Sequence, residues 1–469
     1  MKSNTIKALL VVLLLHGAGC KSLLDETVYS ELTPGNFLNT STGKQAVLTS
    51  AYGFVQMRTH NYLFLSAHTS QEVWNRGGSI EALLTPLTNF TWDSNHQYFS
   101  EVWGSLYGAI RDANIVIDNT STADATALDK QLNAEARFVR ALAYYHLYDW
   151  FGPVPLYLTS TPTEFKLARA TDEEMKTFIE KELLAVAVVL PLSQAQYGRA
   201  TKGAALGILA KFYLNTKQWQ KTADATKQII DLNKYTLLPK YKDVFAIANE
   251  GNAEMLWVIP ASPQAGHNLV ALIFPTDYPL PQPNQQVFAA RSYFFDSFVN
   301  SFAAGDTRRN LIITEYTNTS GKYTKLLGID QSLSGKYEFD PNAAGAVQGN
   351  DIPVVRYADI LLSRAEALNE LNGPTQEAID LINKVRTRAG TAPLMMGSFT
   401  KESLRDHILQ EREWEFYTEM KRREDLIRHG KLISNAKAKG RNAQPFHVLF
   451  PLPITELNAN PNLKQNPGY

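Results

Sequence analysis

Cysteine is nearly absent: one residue in 469, at position 20. A single thiol builds neither a disulfide framework nor a cysteine-based zinc site. Net charge is absent too, since 46 Lys and Arg balance 46 Asp and Glu. The chain therefore lacks the basic surplus that displaces counterions from nucleic acid, and no nucleic-acid partner is expected. HExxH, P-loop and GxSxG patterns are missing. The nearest serine, Ser105 in "WGSLYG", lacks the nucleophile-elbow spacing. Nine histidines are scattered without ligand spacing. With 46 carboxylates some pair lies close in any fold, yet nothing in the sequence nominates a glycosidase dyad. These absences leave catalysis without a candidate.

Aromatic residues are what the chain has in quantity: 21 Tyr, 22 Phe and 7 Trp. They supply a core and a surplus that can line a binding surface. The N-terminus is patterned as well. Lys2 and Lys7 precede an uninterrupted apolar run from Ala8 to Leu15, and His16 with small residues leads to Cys20. Basic, apolar, small is the order of a signal peptide, and the run is shorter than the roughly 20 residues that span a bilayer. "GAGC" resembles a lipobox, with Gly17 where Leu is usual. Residues 1–19 are read as a lipoprotein signal and Cys20 as the lipidated first residue. A buried N-terminal helix and a plain secretory signal are the alternatives. No later segment is apolar enough to span, so a lipid-tethered domain outside the cytoplasm is expected. Asp25 and Glu26 near the mature start resemble export signals of surface lipoproteins.

The middle of the chain reads as helices. Leu132, Ala136, Val139, Leu142, Ala143 and Leu147 recur at spacings of three and four, one helical face. "FGPVP" stops that helix. Thr171 and Glu174 form a capping-box pattern at the next start, and Pro191 closes that helix. A helix ending near Asn215, a turn at Lys217 and a helix to Asp231 carry Leu209, Ala210, Tyr213 and Trp219 at the knob positions of a tetratricopeptide-like hairpin. A second hairpin is punctuated by Gly373 and Pro374. Such hairpins stack because none buries its apolar face alone. The reading is a mainly α scaffold with helices within 40–235 and 355–430, and insertions of small strands and long loops within 60–103 and 235–350. Loops on a rigid scaffold are where binding groups sit. "EREWEFYTEMKRREDLIRHGK" reads as one amphipathic helix, with Trp414, Phe416, Tyr417 and Met420 packed and charges paired at i, i+3 and i+4. "DPNAAGAVQGND" sets Asp340, Asn342, Gly345 and Asp351 at EF-hand loop positions, but Ala344 and a final Asp break the pattern. Calcium is a minor reading there against Asx turns; no other cofactor is expected.

Five blocks in order carry a resemblance: "AEARFVRALAYYHLYDWFGPVPL", "RYADILLSRAEALNE", "INKVRTRAG", "EREWEFYTEMKRREDLIRHGK" and "PLPITELNANPNLKQNPGY". Together, after a lipoprotein signal, they resemble the SusD/RagB family of outer-membrane nutrient-binding lipoproteins. Met420, Lys421 and Arg422 depart from the Gly-His-Arg often found there. The resemblance implies a single SusD-like unit over 20–469 and a binding protein, not an enzyme. It further implies a lipid-anchored, surface-exposed location at the outer membrane and capture of oligosaccharides. The partner it implies is a TonB-dependent SusC-like transporter. Capture of peptides or glycoproteins, or a scaffold without small ligand, are the alternatives.

A sugar presents C–H faces and a hydroxyl rim, which aromatic faces and Asn, Asp or Arg groups match. In "SQEVWNRGGSI", Trp74 would stack while Asn75 and Arg76 bond hydroxyls. This segment resembles the family's ligand-contacting Trp loop. The alternative is a Trp folded under a turn. Trp92, beside Asp93 and Asn95, is a further candidate. So are Tyr278 and Phe288 in "FPTDYPLPQPNQQVFAARSYF", where prolines stiffen the backbone. Trp103 and Tyr107, at helical spacing, read as core.

Overall fold

Helices dominate because their start and stop signals are written locally and their apolar faces find one another. The computed structural model describes residues 37–56, 59–78 and 80–469. Cys20, the signal region, Asp25 and Glu26 lie outside the described residues. The chain divides into units Met1–Lys44 and Gln45–Tyr469. In the described part of the first, Gly43 N–H donates to Thr40 Oγ1 at 3.0 Å.

The helices in chain order are α1 (Ser41–Gln56), α2 (Thr59–Thr69), α3 (Glu81–Asn89), α4 (Gln97–Asp118), α5 (Ala127–Phe151), α6 (Asp172–Val189), α7 (Lys202–Asn215) and α8 (Trp219–Asp231). After a long insertion come α9 (Leu269–Ile273), α10 (Asp296–Val299), α11 (Tyr357–Asn372), α12 (Gln376–Arg388), α13 (Lys401–Phe416), α14 (Arg422–Arg428), α15 (Leu432–Ala438) and α16 (Ile454–Ala459). From α4 to α8 each packs on the next, and α8 then packs on α11, which also holds α12 and α13. This is the stack of helical hairpins expected. Thr126 with Asp129 and Thr171 with Glu174 close reciprocal capping boxes. Gly373 ends α11 at φ 75°, a conformation that favours glycine. α7 is buried from Gly203 to Leu214, as befits a helix enclosed by α6, α8 and the first strand of the insertion.

Residues 60–103 correct the loop reading: α2, α3 and the start of α4 occupy most of them. Polar residues obscured the periodicity, because α2 buries several of them with partners. Asn61 donates to Glu101 (2.7 Å), and Thr69 Oγ1 to the Leu65 carbonyl (2.5 Å). His68 meets Thr88 and Ser292 at 3.0 and 3.1 Å.

The insertion carries short antiparallel ladders. β1 (Val73–Trp74) pairs with β3 (Tyr293–Phe294), and β2 (Met255–Ile259) with β8 (Ile352–Arg356). β4 (Ile312–Ile313) pairs with β7 (Leu333–Ser334), and β5 (Glu315–Thr317) with β6 (Tyr323–Lys325). The β2–β8 ladder closes the base of the insertion, and β8 runs directly into α11.

The charged segment 411–431 is not one helix. α13 stops at Phe416, Thr418 and Met420 take φ of 60° and 61°, and α14 begins at Arg422. Asp425–Arg428 keeps helical spacing at 2.7 Å, but the other charges reach other elements. Arg356 binds Glu254 and Glu415 at 2.6 Å and Glu419 at 2.8 Å. Arg308 binds Asp306 (2.7 Å), Glu411 (2.6 Å) and Glu415 (3.3 Å). Arg386 binds Glu411 at 2.7 Å, Lys336 binds Glu419 at 2.8 Å, and Arg388 binds Glu415 and, at 3.3 Å, Glu254. Five cations thus meet five carboxylates in the interior, a neutral set in which each buried charge is paired. Burial alone would raise the Glu415 carboxyl, but Arg388, Arg356 and Arg308 outweigh it and hold it at about 2. A cluster that joins α13 to β8 and α12 cannot also be a solvated helix face.

A candidate ligand surface on the β1–β3 ladder

The two segments proposed from sequence to hold ligand groups, around 74 and around 278–293, are far apart in the chain. The β1–β3 ladder brings them together by setting Trp74 opposite Tyr293. Gly78 sits beside the ladder at φ 93°, a backbone that favours glycine, and the Arg291 guanidinium lies where a Cβ would stand. Arg291 in turn donates to the Gly77 carbonyl at 3.2 Å.

Trp74 is half-buried, and its indole N–H donates to the Asp330 carbonyl at 2.6 Å. Asp330 and Asp296 hold each other: Asp296 N–H donates to Asp330 Oδ1 (2.6 Å), and Asp330 N–H donates to Asp296 Oδ2 (3.2 Å). The ring therefore has a fixed orientation. Its centroid lies 5.7 Å from Tyr293 and 6.5 Å from Phe295. The Lys439 ammonium sits 3.6 Å from the Phe295 ring centroid, a cation–π contact that closes one end of the row. Burial lowers that ammonium to about 8, which leaves it mainly protonated at neutral pH.

Burial raises the Tyr293 phenol, and the positive charges of the exposed Arg76 and of Arg291 oppose the rise. Burial and the Asp277 carboxylate raise Tyr316, with Tyr293 adding to the effect. Tyr316 donates to Asp277 Oδ1 at 2.7 Å, and Asn318 Nδ2 donates to Oδ2 at 3.0 Å. The Tyr278 ring lies 5.2 Å from Tyr316 and 4.6 Å from Phe274. Trp74 with Tyr293, and Tyr316 with Tyr278, thus form a half-exposed aromatic surface of two ring pairs, with Asp277 and Asn318 bonded beside the second. Such a surface takes a flat apolar face and bonds a polar rim.

The structure places the remaining candidates differently. Asn75 is buried; it donates to Thr85 Oγ1 (3.0 Å) and accepts from Thr88 Oγ1 (3.1 Å), so it ties the loop to α3 instead of facing a ligand. Trp92 is 5% exposed, packs against Phe90, His447 and Phe450, and donates to Tyr469 Oη at 2.9 Å. It docks the C-terminal tail and is withdrawn as a ligand residue. Phe288 is exposed, its N–H held by the Ala271 carbonyl at 2.9 Å. In the calcium reading, Asp351 Oδ1 accepts from Ala261 N–H (3.0 Å) and Oδ2 from Tyr197, while Asp340 Oδ1 accepts from Asn342 N–H (2.8 Å). These are turn and loop anchors. Among the described residues no group of three or more His, Cys, Asp or Glu is arranged to hold a metal ion. Tyr293, Phe295, Tyr316 and Asp330 were missed by sequence reasoning. The period-two spacing of Tyr293 and Phe295 was the available signal.

A cavity of about 600 Å³ lined by residues including Phe54, His60, His267 and Asn268 shares no residue with this row. Both ring nitrogens of His267 are occupied there, by the Asn350 carbonyl (2.9 Å) and Leu269 N–H (3.3 Å). Phe54 is the one Phe, Tyr or Trp in that lining, so the aromatic row is the better candidate for a sugar face.

Residues 313–469 match a family described as the SusD family, and residues 23–214 one described as "Starch-binding associating with outer membrane". The chain is 26% identical to SusD-like protein P25 of Formosa agariphila, over 98% of each chain. It is 26% identical to the starch-binding protein SusD of Bacteroides thetaiotaomicron, over 82% of this chain and 81% of that one. Among solved structures, a laminarin-binding SusD-like protein superposes with a TM-score of 0.79 at 24% identity, covering 91% of this chain and 99% of its own. Surface glycan-binding protein A from Bacteroides uniformis superposes at 0.78 with 25% identity, over 91% and 99%.

Proposed function

The chain belongs to the SusD family, and from that premise we propose that it captures oligosaccharides on the aromatic row of the β1–β3 ladder. The observation that carries the reading is the pairing of Trp74 with Tyr293, a half-exposed platform with Arg76 at its edge. Pyranose C–H faces would lie on Trp74 and Tyr293. Arg76, the phenols of Tyr278 and Tyr293, and Asp277 would meet the hydroxyls. The raised phenols stay protonated at neutral pH and remain donors.

A tethered capture protein needs an acceptor for its cargo. The proposal includes a lipid anchor at Cys20, a place at the outer-membrane surface, and delivery to a TonB-dependent SusC-like transporter. Names of relatives support the ligand class: one is a starch-binding protein, and one solved neighbour binds laminarin. A peptide captured by strand addition would need an exposed strand edge to pair with. The two-residue β1–β3 ladder offers little of one.

Trp74→Ala is the test. Native affinity electrophoresis and calorimetry against laminarin, starch and a wider polysaccharide panel should show retention by the wild type. The variant should bind at least tenfold more weakly, as expected when a stacked aromatic is lost. Equal binding by the two proteins would refute the placement.

A further inference from the structure

A second aromatic concavity lies away from the ladder and shares no residue with it. It measures about 380 Å³ and opens between α4, the loop after α5, and α16. Its walls are Tyr107, Tyr157 and Phe165, with Trp103 beneath and Glu456 and Lys166 at the edge.

The sequence reading of Trp103 and Tyr107 as core holds for Trp103, which is 3% exposed, but Tyr107 is only half-buried. The Tyr107 ring lies 5.1 Å from Trp103 and 6.0 Å from Tyr157. Its hydroxyl donates to the Pro155 carbonyl (2.9 Å), and that of Tyr157 to the Phe165 carbonyl (2.7 Å). The rings are thus fixed before any ligand arrives. Phe165, by contrast, leaves 73% of its surface in water and extends the aromatic wall on the open side.

Gly104 gives the independent sign. It sits inside the 22-residue helix α4, where glycine weakens a helix. Packing does not demand it, since a Cβ there would meet no heavy atom within 4 Å. A side chain at 104 would instead stand in the concavity. The Glu456 carboxyl supplies the polar group: it is half-buried, burial raises it, and its charge acts on both Tyr107 and Tyr157. Preset rings, an uncovered Phe, an open glycine floor and one carboxylate suit a neutral pyranose. The carboxylate accepts from a hydroxyl pair while the rings take a C–H face.

We propose that this concavity is a second pyranose-binding subsite, which would let the protein hold a long glycan at two points. The inference rests on the glycan-binding reading above. Its test uses the full chain and the polysaccharide, laminarin or starch, that the wild type retains in native affinity gels. Phe165→Ala and Gly104→Gln should each weaken retention of the long polymer by about tenfold through loss of the two-point hold. The residual retention of Trp74→Ala should vanish in Trp74→Ala/Phe165→Ala. Folding is controlled by the far-ultraviolet circular dichroism spectra of Phe165→Ala and Gly104→Gln, which should both match the wild type's. Wild-type retention by Phe165→Ala and Gly104→Gln would overturn the subsite while leaving the Trp74 platform intact. So would a Phe165→Ala variant that loses only its association with a membrane protein. A wild type that retains no polysaccharide would overturn both readings.

Discussion

Glu415→Gln is the most exacting perturbation the structure offers. The Glu415 carboxylate is fully buried and receives Arg356 at 2.6 Å, Arg308 at 3.3 Å and Arg388. Its folded pKa is about 2, against 4.5 for the free group. A depressed carboxyl contributes stability above its unfolded pKa and loses it as pH falls through the folded one. At pH 7 the full difference applies, about 3 kcal/mol. At pH 3 about half of that remains, because the unfolded carboxyl is then almost wholly protonated while the folded one stays mostly ionised. Removing one partner of a buried ion pair gives the same scale independently, about 3–5 kcal/mol. Gln is nearly isosteric with protonated Glu, so the variant imitates the low-pH form at every pH. Urea unfolding of both proteins at pH 7 and pH 3 measures the effect. The variant should be about 3 kcal/mol less stable at pH 7, and the gap should halve at pH 3. A gap that does not change with pH would mean that shape, not charge, matters at this position. No gap at all would mean the network contributes nothing.

Two further outcomes follow from single residues. Burial raises the Glu72 carboxyl to about 7, where it accepts Thr418 N–H at 2.7 Å. Its ionisation therefore opposes folding as pH climbs from 4.5 through 7, and Glu72→Gln should be about 3 kcal/mol more stable than wild type at pH 9 and equal to it near pH 4, by urea titration. Trp92→Ala should lose about 3–5 kcal/mol of stability from its buried site, yet bind polysaccharide as the wild type does in affinity gels run well below its melting temperature.

The network and the proposed ligand platform are linked through Glu72. The left-handed turn at Thr418 follows directly on Glu415 and Phe416, and its N–H is held by a carboxylate two residues before Trp74. The buried charges of α13 thus sit beneath the loop that presents the platform.

The helical stack was legible because its signals are local. Thr171 with Glu174, Gly373 with Pro374, and the apolar spacing from Leu132 to Leu147 each lie within a few helical turns, and each behaves as its neighbours dictate. The charged segment misled for the opposite reason. Its Arg and Glu residues satisfy i, i+4 spacing on paper, but their partners Arg308, Lys336, Arg356 and Arg388 come from elements tens of residues away.

For the candidate ligand surface, sequence alone determined the composition: a Trp beside Arg and two glycines, and a Pro-stiffened segment rich in aromatics. It could not determine which rings face water. Trp74 and Trp92 have similar polar neighbours in the chain, yet one pairs with Tyr293 at a half-exposed ladder and the other vanishes beneath Tyr469. Asn75 looked like a hydroxyl partner and became a clamp on α3. Only the tertiary structure decided these, because exposure depends on which distant segment packs over a side chain, and that contact carries no mark in the residues on either side.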